Sequence, residues 1–271
     1  MKLLKKLLWV ILIPLSVPAF SQPRLANTVQ LADADAQPVA HEPLREADIA
    51  FQWTVERVID TREKQNLALN WPQNPLINLL MKSALEANLP AYTTAECTEQ
   101  YSDSALVTRG TYCHMIQVPC GDEPEELCDT FICEALDLSK IVKWRVIEEW
   151  VFDKEQGRMI PRIVSIAPLF RPVIAGLELE AIPLFWVKYD EARNILAQNK
   201  VFEGHNEAGM VSYDHFFQAR LFGSYITKYP NAFDLQIGQM EEFSTNNMAA
   251  LYEAERIKYK LFETEHDQWE Y

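Results

Sequence analysis

Apolar positions recur along this chain with two periods, one helical and one of two residues. Phe51, Val55, Val58 and Ile59 are spaced as on one face of a helix with charges between them, which predicts an amphipathic helix over residues 51–65. Leu76, Leu79, Leu80, Ser83 and Ala84 repeat that spacing after the Asn70-Trp71-Pro72 break and predict a second helix. Over residues 144–152 the period changes to two: Trp144, Val146, Trp150 and Phe152 share one face. After Lys154-Glu155-Gln156-Gly157 the stretch 160–166 is again β-rich, so the two form a hairpin. Leu184, Phe185, Trp186 and Val187 read as a short apolar strand, with Asp190 placed to cap a helix through Glu191, Ala192 and Arg193. Tyr213, Phe217, Leu221 and Tyr225 mark a further helix, and Leu251, Ala254, Ile257 and Leu261 mark one that runs almost to the C-terminus.

Strands inside and helices outside, without strand-helix alternation, predict an α+β fold. A single domain has N- and C-terminal helices around a small antiparallel sheet. Two segments precede it. Residues 1–21 have the three parts of a secretory signal: Lys2, Lys5 and Lys6, a short apolar run interrupted by Pro14, and Ala19-Phe20-Ser21 before Gln22, which puts cleavage between Ser21 and Gln22. Residues 22–43 are rich in Ala, Asp, Gln and Pro and read as a flexible arm that could clasp a neighbour. The domain proper is then 44–271, interrupted over 96–134 by an acidic segment that holds all five Cys.

Charge narrows the partners. There are 25 basic and 39 acidic residues; without the three Lys of the leader the balance is −17. A phosphate-backbone binder needs a basic footprint, so nucleic acid is not expected. Gly204 and Gly209 are followed by Met210 and Val211 where a phosphate loop needs Lys and a hydroxyl, and no other glycine pair offers a nucleotide loop or nucleophile elbow.

Export makes disulfides the first reading of Cys113, Cys120, Cys128 and Cys133, with the pairing open and Cys97 left over, either free or available to a neighbouring protein. A zinc site using His114 is the weaker reading, since no C-x2-C pair exists. His41-Glu42 opens like a zinc-protease helix, but Pro43 follows and the second His is missing. Glu148 falls on the apolar face of its strand and needs a partner, for which Arg162 on the next strand is the candidate. The Arg57/Asp60, Arg62/Glu63 and Glu255/Arg256 groups read as charge networks on helices that set register at an interface.

Three stretches resemble one family. The C-terminus carries Glu255-Arg256-Ile257-Lys258, Leu261-Phe262 and Glu265-His266-Asp267-Gln268-Trp269-Glu270-Tyr271. The first predicted helix carries Arg57-Val58-Ile59-Asp60-Thr61-Arg62-Glu63-Lys64, followed by Asn66. The middle carries Glu149-Trp150-Val151-Phe152-Asp153-Lys154, Pro183-Leu184-Phe185-Trp186-Val187 and Ser224-Tyr225-Ile226. In order and spacing these are similar to the GldN/PorN family of the type IX secretion and gliding motility machinery. The resemblance implies a structural, non-enzymatic periplasmic subunit without cofactor. Such a subunit self-associates into a ring with an outer-membrane lipoprotein (GldK/PorK-like) and meets the periplasmic part of an inner-membrane motor protein (GldM/PorM-like). It points to Arg57, Asp60, Arg62, Trp150, Trp186, Glu255, Arg256, His266, Asp267 and Trp269 as interface candidates. The Cys segment departs from the family pattern, and the rival reading is a periplasmic binding module, metal-responsive or not, that uses it.

Overall fold

The structure is a computed structural model that describes residues 32–109, 111–119, 127–174, 177–202 and 210–268. The leader, the Ser21/Gln22 cleavage site, Cys120 and Trp269 lie outside the described residues.

Three long strands set the frame: β1 (Ile49–Asp60), β4 (Lys143–Asp153) and β5 (Arg158–Phe170). They belong to a six-stranded antiparallel sheet in the order β12-β1-β4-β5-β8, with β9 (Val187–Lys188) also on β5, β8 being Ile182–Pro183 and β12 being Tyr225–Lys228. The expected β4–β5 hairpin is present and longer than the pattern showed, pairing Lys143 with Leu169 at one end and Asp153 with Arg158 at the turn. Gly157 closes that turn at φ 65°, and the Asp153 carboxylate accepts the Glu155 N–H at 2.8 Å.

The first predicted helix is instead β1, a correction with a definite cause. Phe51, Trp53, Val55, Arg57 and Ile59 share one face of the strand, but the inward residue at the fourth place is a charged Arg, so period two is disguised. The expected N-terminal helix is therefore part of the sheet, and the charged groups assigned to it lie on β1 and just beyond.

The second helix forms as expected as α1 (Leu76–Leu85). Next come α2 (Asp103–Arg109) and the Cys segment, which forms its own two-stranded hairpin, β2 (Thr111–Pro119) with β3 (Leu127–Ala135). Two further small antiparallel pairs are β6 (Val173–Ile174) with β7 (Leu177–Glu178) and β10 (Lys200–Val201) with β11 (Val211–Ser212). Of the strand expected at Leu184 to Val187, only Val187 lies in β9. Leu184 and Trp186 bond instead to Pro168 and Tyr92, with Leu184, Phe185 and Trp186 all buried. α3 (Tyr189–Gln198) follows. Its N-cap is Lys188 with no side-chain bond, and Asp190 sits inside the first turn. α4 (Tyr213–Gln218) is shorter than predicted. The chain reverses at Arg220, φ 54°, so Leu221 is outside the helix and Tyr225 opens β12. The C-terminal helix α5 (Asn247–Asp267) is as expected, capped by the Asn246 side chain, which accepts the Met248 and Ala249 N–H groups.

Among the described residues the core has three parts. Ile59, Trp144, Val146 and Ile166 pack with Leu76, Leu80, Leu196, Phe216 and Phe217 from α1, α3 and α4. Val55 and Ile226 pack under Ala254, Ile257 and Leu261 of α5, with Trp53 and Trp150 against them. Ile147 and Ala167 meet Tyr92 and Trp186 in the third.

One side chain holds the corner between β1, the following turn and β12. Asn66 is wholly buried and donates to the carbonyls of Asp60 (2.8 Å) and Gly223 (2.9 Å) while its own oxygen accepts the Gly223 N–H at 2.8 Å. Asn66→Ala leaves these backbone groups without partners, and a loss of about 2–3 kcal/mol is expected in urea unfolding. A change below about 0.5 kcal/mol would show that water replaces the amide.

Candidate functional site

Among the described residues, buried charges pair around two carboxylates, Glu148 and Asp214. At the first, Glu148 is fully buried on the same face of β4 as Val146 and Trp150, between the larger core and the α5 core. It meets Arg57 Nε at 3.0 Å and Arg220 Nη2 at 2.8 Å, and accepts the Trp150 indole N–H at 2.9 Å. Both guanidiniums also lie over the Trp150 ring, at 5.3 and 5.7 Å from its centroid. Burial lowers the pKa of Arg57, the Glu148 charge opposes that, and the guanidinium stays charged.

Arg162 is therefore not the partner of Glu148. The hairpin register, unbroken from the Asp153–Arg158 turn, sets Glu148 opposite Ile163 and Arg162 opposite Glu149, which points to the other face; the extra residue Val164 falls only beyond these pairs. Arg162 instead donates to the Glu42 carbonyl at 2.6 Å.

At the second place Asp214, also fully buried, accepts the Tyr189 hydroxyl at 3.0 Å, Arg193 Nε at 3.1 Å and the Val39 N–H at 2.7 Å. Arg193 donates in turn to the Val39 carbonyl. Burial pushes the Tyr189 hydroxyl far above its ordinary pKa, so it stays a donor. The arm is thus fastened to its own body over residues 32–43: Ala32 bridges Asn199, Gln198 donates to the Ala34 carbonyl, and Glu42 pairs with Arg158.

His41 lies in this seam with its pKa lowered, first by burial and then by Arg193 and Arg162, against a smaller pull from Asp190 and Asp214. The unfolded chain takes up that proton more readily, so the stability tied to neutral His41 is present above its ordinary value of 6.5 and is lost as pH falls through and below it. The melting temperature is expected to fall more between about pH 7.5 and 5.5 in the wild type than in His41→Gln. Equal falls would remove His41 from the seam.

The other residues singled out from the sequence scatter. Asp60 holds Arg62 at 2.5 Å, with Lys143 at 3.9 Å, and its pKa is lowered by those contacts. Arg57 and Trp186 are buried in the chain, and Trp150 is half-buried. On α5, Glu255 and Arg256 do not pair with each other: Glu255 meets Lys258 at 3.4 Å and Arg256 meets Glu253 at 2.6 Å. His266 and Asp267 are exposed. Arg220 and Asp214 were not singled out, because their partners are distant in the chain; the left-handed Arg220 carried no signal.

In the Cys hairpin the register sets Cys113 opposite Cys133, and Val118 opposite Cys128. Cys97 carries a free thiol, whose pKa burial raises to about 11 from 9.0. At pH 8 its thiolate is about a hundredfold scarcer than that of an ordinary thiol, so iodoacetamide is expected to modify it about a hundredfold more slowly in the folded protein than after unfolding. Equal rates would show the thiol to be open. Among the described residues no three His, Cys, Asp or Glu converge as a metal set, and no helix is long and apolar enough to cross a membrane.

Both centres pair buried charges between strands, helix and arm and so tie those elements together. The family described as gliding motility associated protein GldN matches residues 44–270, and the chain belongs to that family. It is a family of structural gliding-motility components tied to type IX secretion, not a known enzyme family. No curated protein matches the chain.

Proposed function

We propose that this protein is a subunit of a periplasmic ring of the type IX secretion system, linking an outer-membrane lipoprotein to the inner-membrane motor. The family match over residues 44–270 carries the reading. The basic leader with its small-x-small site supports export, and in an oxidising compartment Cys113, Cys120, Cys128 and Cys133 would be expected to pair as two disulfides. Cys113 and Cys133, set opposite each other, are the first candidates for one of them. The mechanism is geometric: a body braced by internal ion clusters presents the same contacts in every copy, and repeated contacts close into a ring.

The test is light scattering coupled to size exclusion on the chain from Gln22, alone and co-expressed with the ring lipoprotein. A megadalton species with the lipoprotein is expected. A monomer that ignores the lipoprotein would overturn the reading.

A further inference from the structure

Helix α5 is apolar on two sides. Ala254, Ile257 and Leu261 face the core, yet Met248, Leu251, Tyr252, Tyr259 and Phe262 are 45–71% exposed. At 100° per residue these five fall within an arc of about 100° on the side away from the buried face.

Their spacing says what fits there. Met248, Tyr252, Glu255, Tyr259, Phe262 and His266 follow one another at alternating steps of four and three residues. That is the seam by which one helix packs along another, and it runs for about 30 Å. We propose that this seam is a contact between two copies of this chain, α5 lying antiparallel on α5 about a two-fold axis.

The side chains favour this arrangement over its rivals. Antiparallel pairing centred on Ile257 sets Tyr252 against Phe262, Met248 against His266, and Glu255 against Tyr259, whose hydroxyl can donate to the carboxylate. Parallel pairing sets Glu255 against Glu255, two like charges in an apolar seam. The cations beside the axis, Arg256 and Lys258, are each answered on their own helix, by Glu253 at 2.6 Å and Glu255 at 3.4 Å. The five apolar side chains would bury roughly 1,000 Å² over both copies, near the lower end of specific interfaces, so the pair is expected to be weak, with Kd in the micromolar range. A two-fold pair does not close a ring, so this contact adds to the ring reading and stands or falls separately from it.

The test is sedimentation of the chain from Gln22 over about two decades of concentration around the micromolar range. A monomer-dimer equilibrium is expected, abolished by Phe262→Asp and by Tyr252→Asp but not by Leu67→Asp, an exposed apolar control elsewhere. The α5 variants alter exposed side chains, and unchanged melting would show they fold. For orientation, Tyr252→Cys and Phe262→Cys on differently tagged chains should cross-link to each other when mixed and not to themselves. A monomer throughout, or a dimer indifferent to both Asp variants, would overturn the contact; self-linking of either Cys variant would overturn its antiparallel sense. Loss of the dimer in Phe262→Asp with the lipoprotein-bound megadalton species intact supports the contact and leaves the ring reading standing.

Discussion

Glu148→Ala is expected to destabilise the protein by about 3–5 kcal/mol, lowering its melting temperature by roughly 10 °C. Arg57 is 5% exposed and Arg220 is only partly open. Without the carboxylate both guanidiniums face each other and the Trp150 ring with no anion between them, and the Trp150 N–H loses its acceptor. Glu148→Gln, which keeps the acceptor and volume but not the charge, should lie between wild type and Ala. The damage should reach α5, because Trp150 packs into the core beneath that helix. Denaturant titration with Trp fluorescence checks both. A loss below about 1 kcal/mol for Glu148→Ala would mean that the two Arg side chains swing to solvent and that the cluster does not brace the sheet.

Asp214→Ala is expected to cost about 3 kcal/mol and to release the arm. The carboxylate answers Tyr189, Arg193 and the Val39 N–H at once, so its removal strands a buried hydroxyl, a partly buried guanidinium and a backbone donor. The freed arm should be cut by trypsin after Arg45 at least tenfold faster than in the wild type under native conditions. Unchanged cleavage would show that Glu42, through Arg158 and Arg162, suffices to hold it. In the wild type, residues 32–43 are engaged with their own chain, so any contact they make with a neighbour would first require their release.

Elements whose side chains face one environment per side were legible. The β4–β5 hairpin alternates because the bulky Trp144, Val146, Trp150 and Phe152 share one face, while Ile147 and Ala167 meet a separate small core on the other, and α1 and α5 repeat every three to four residues because each buries a stripe. β1 was not, because Arg57 stands where an apolar residue would complete the alternation. Arg57 can stand there only because Glu148 meets it from the next strand. The same reason hid the charge centres. Glu148 could be recognised as a buried acid in want of a cation, but the period placed Arg57 on a helix and left Arg162 as the candidate, which the hairpin register sets opposite Glu149 instead. Arg220, the third member, is 72 residues from Glu148.

The sequence by itself determined the family through ordered short motifs, the acidic balance that argues against a nucleic-acid partner, and each helix or strand whose period is uninterrupted. Tertiary structure decided the rest: that β1 is a strand, which cation each buried carboxylate holds, where α4 stops, and that residues 32–43 lie on their own body. Periodicity is local and survives in the sequence because burial of one face acts on near neighbours. Ion pairing and register join residues distant along the chain, and their partners are set by how strands pair across the sheet and by a single left-handed turn that no local pattern records.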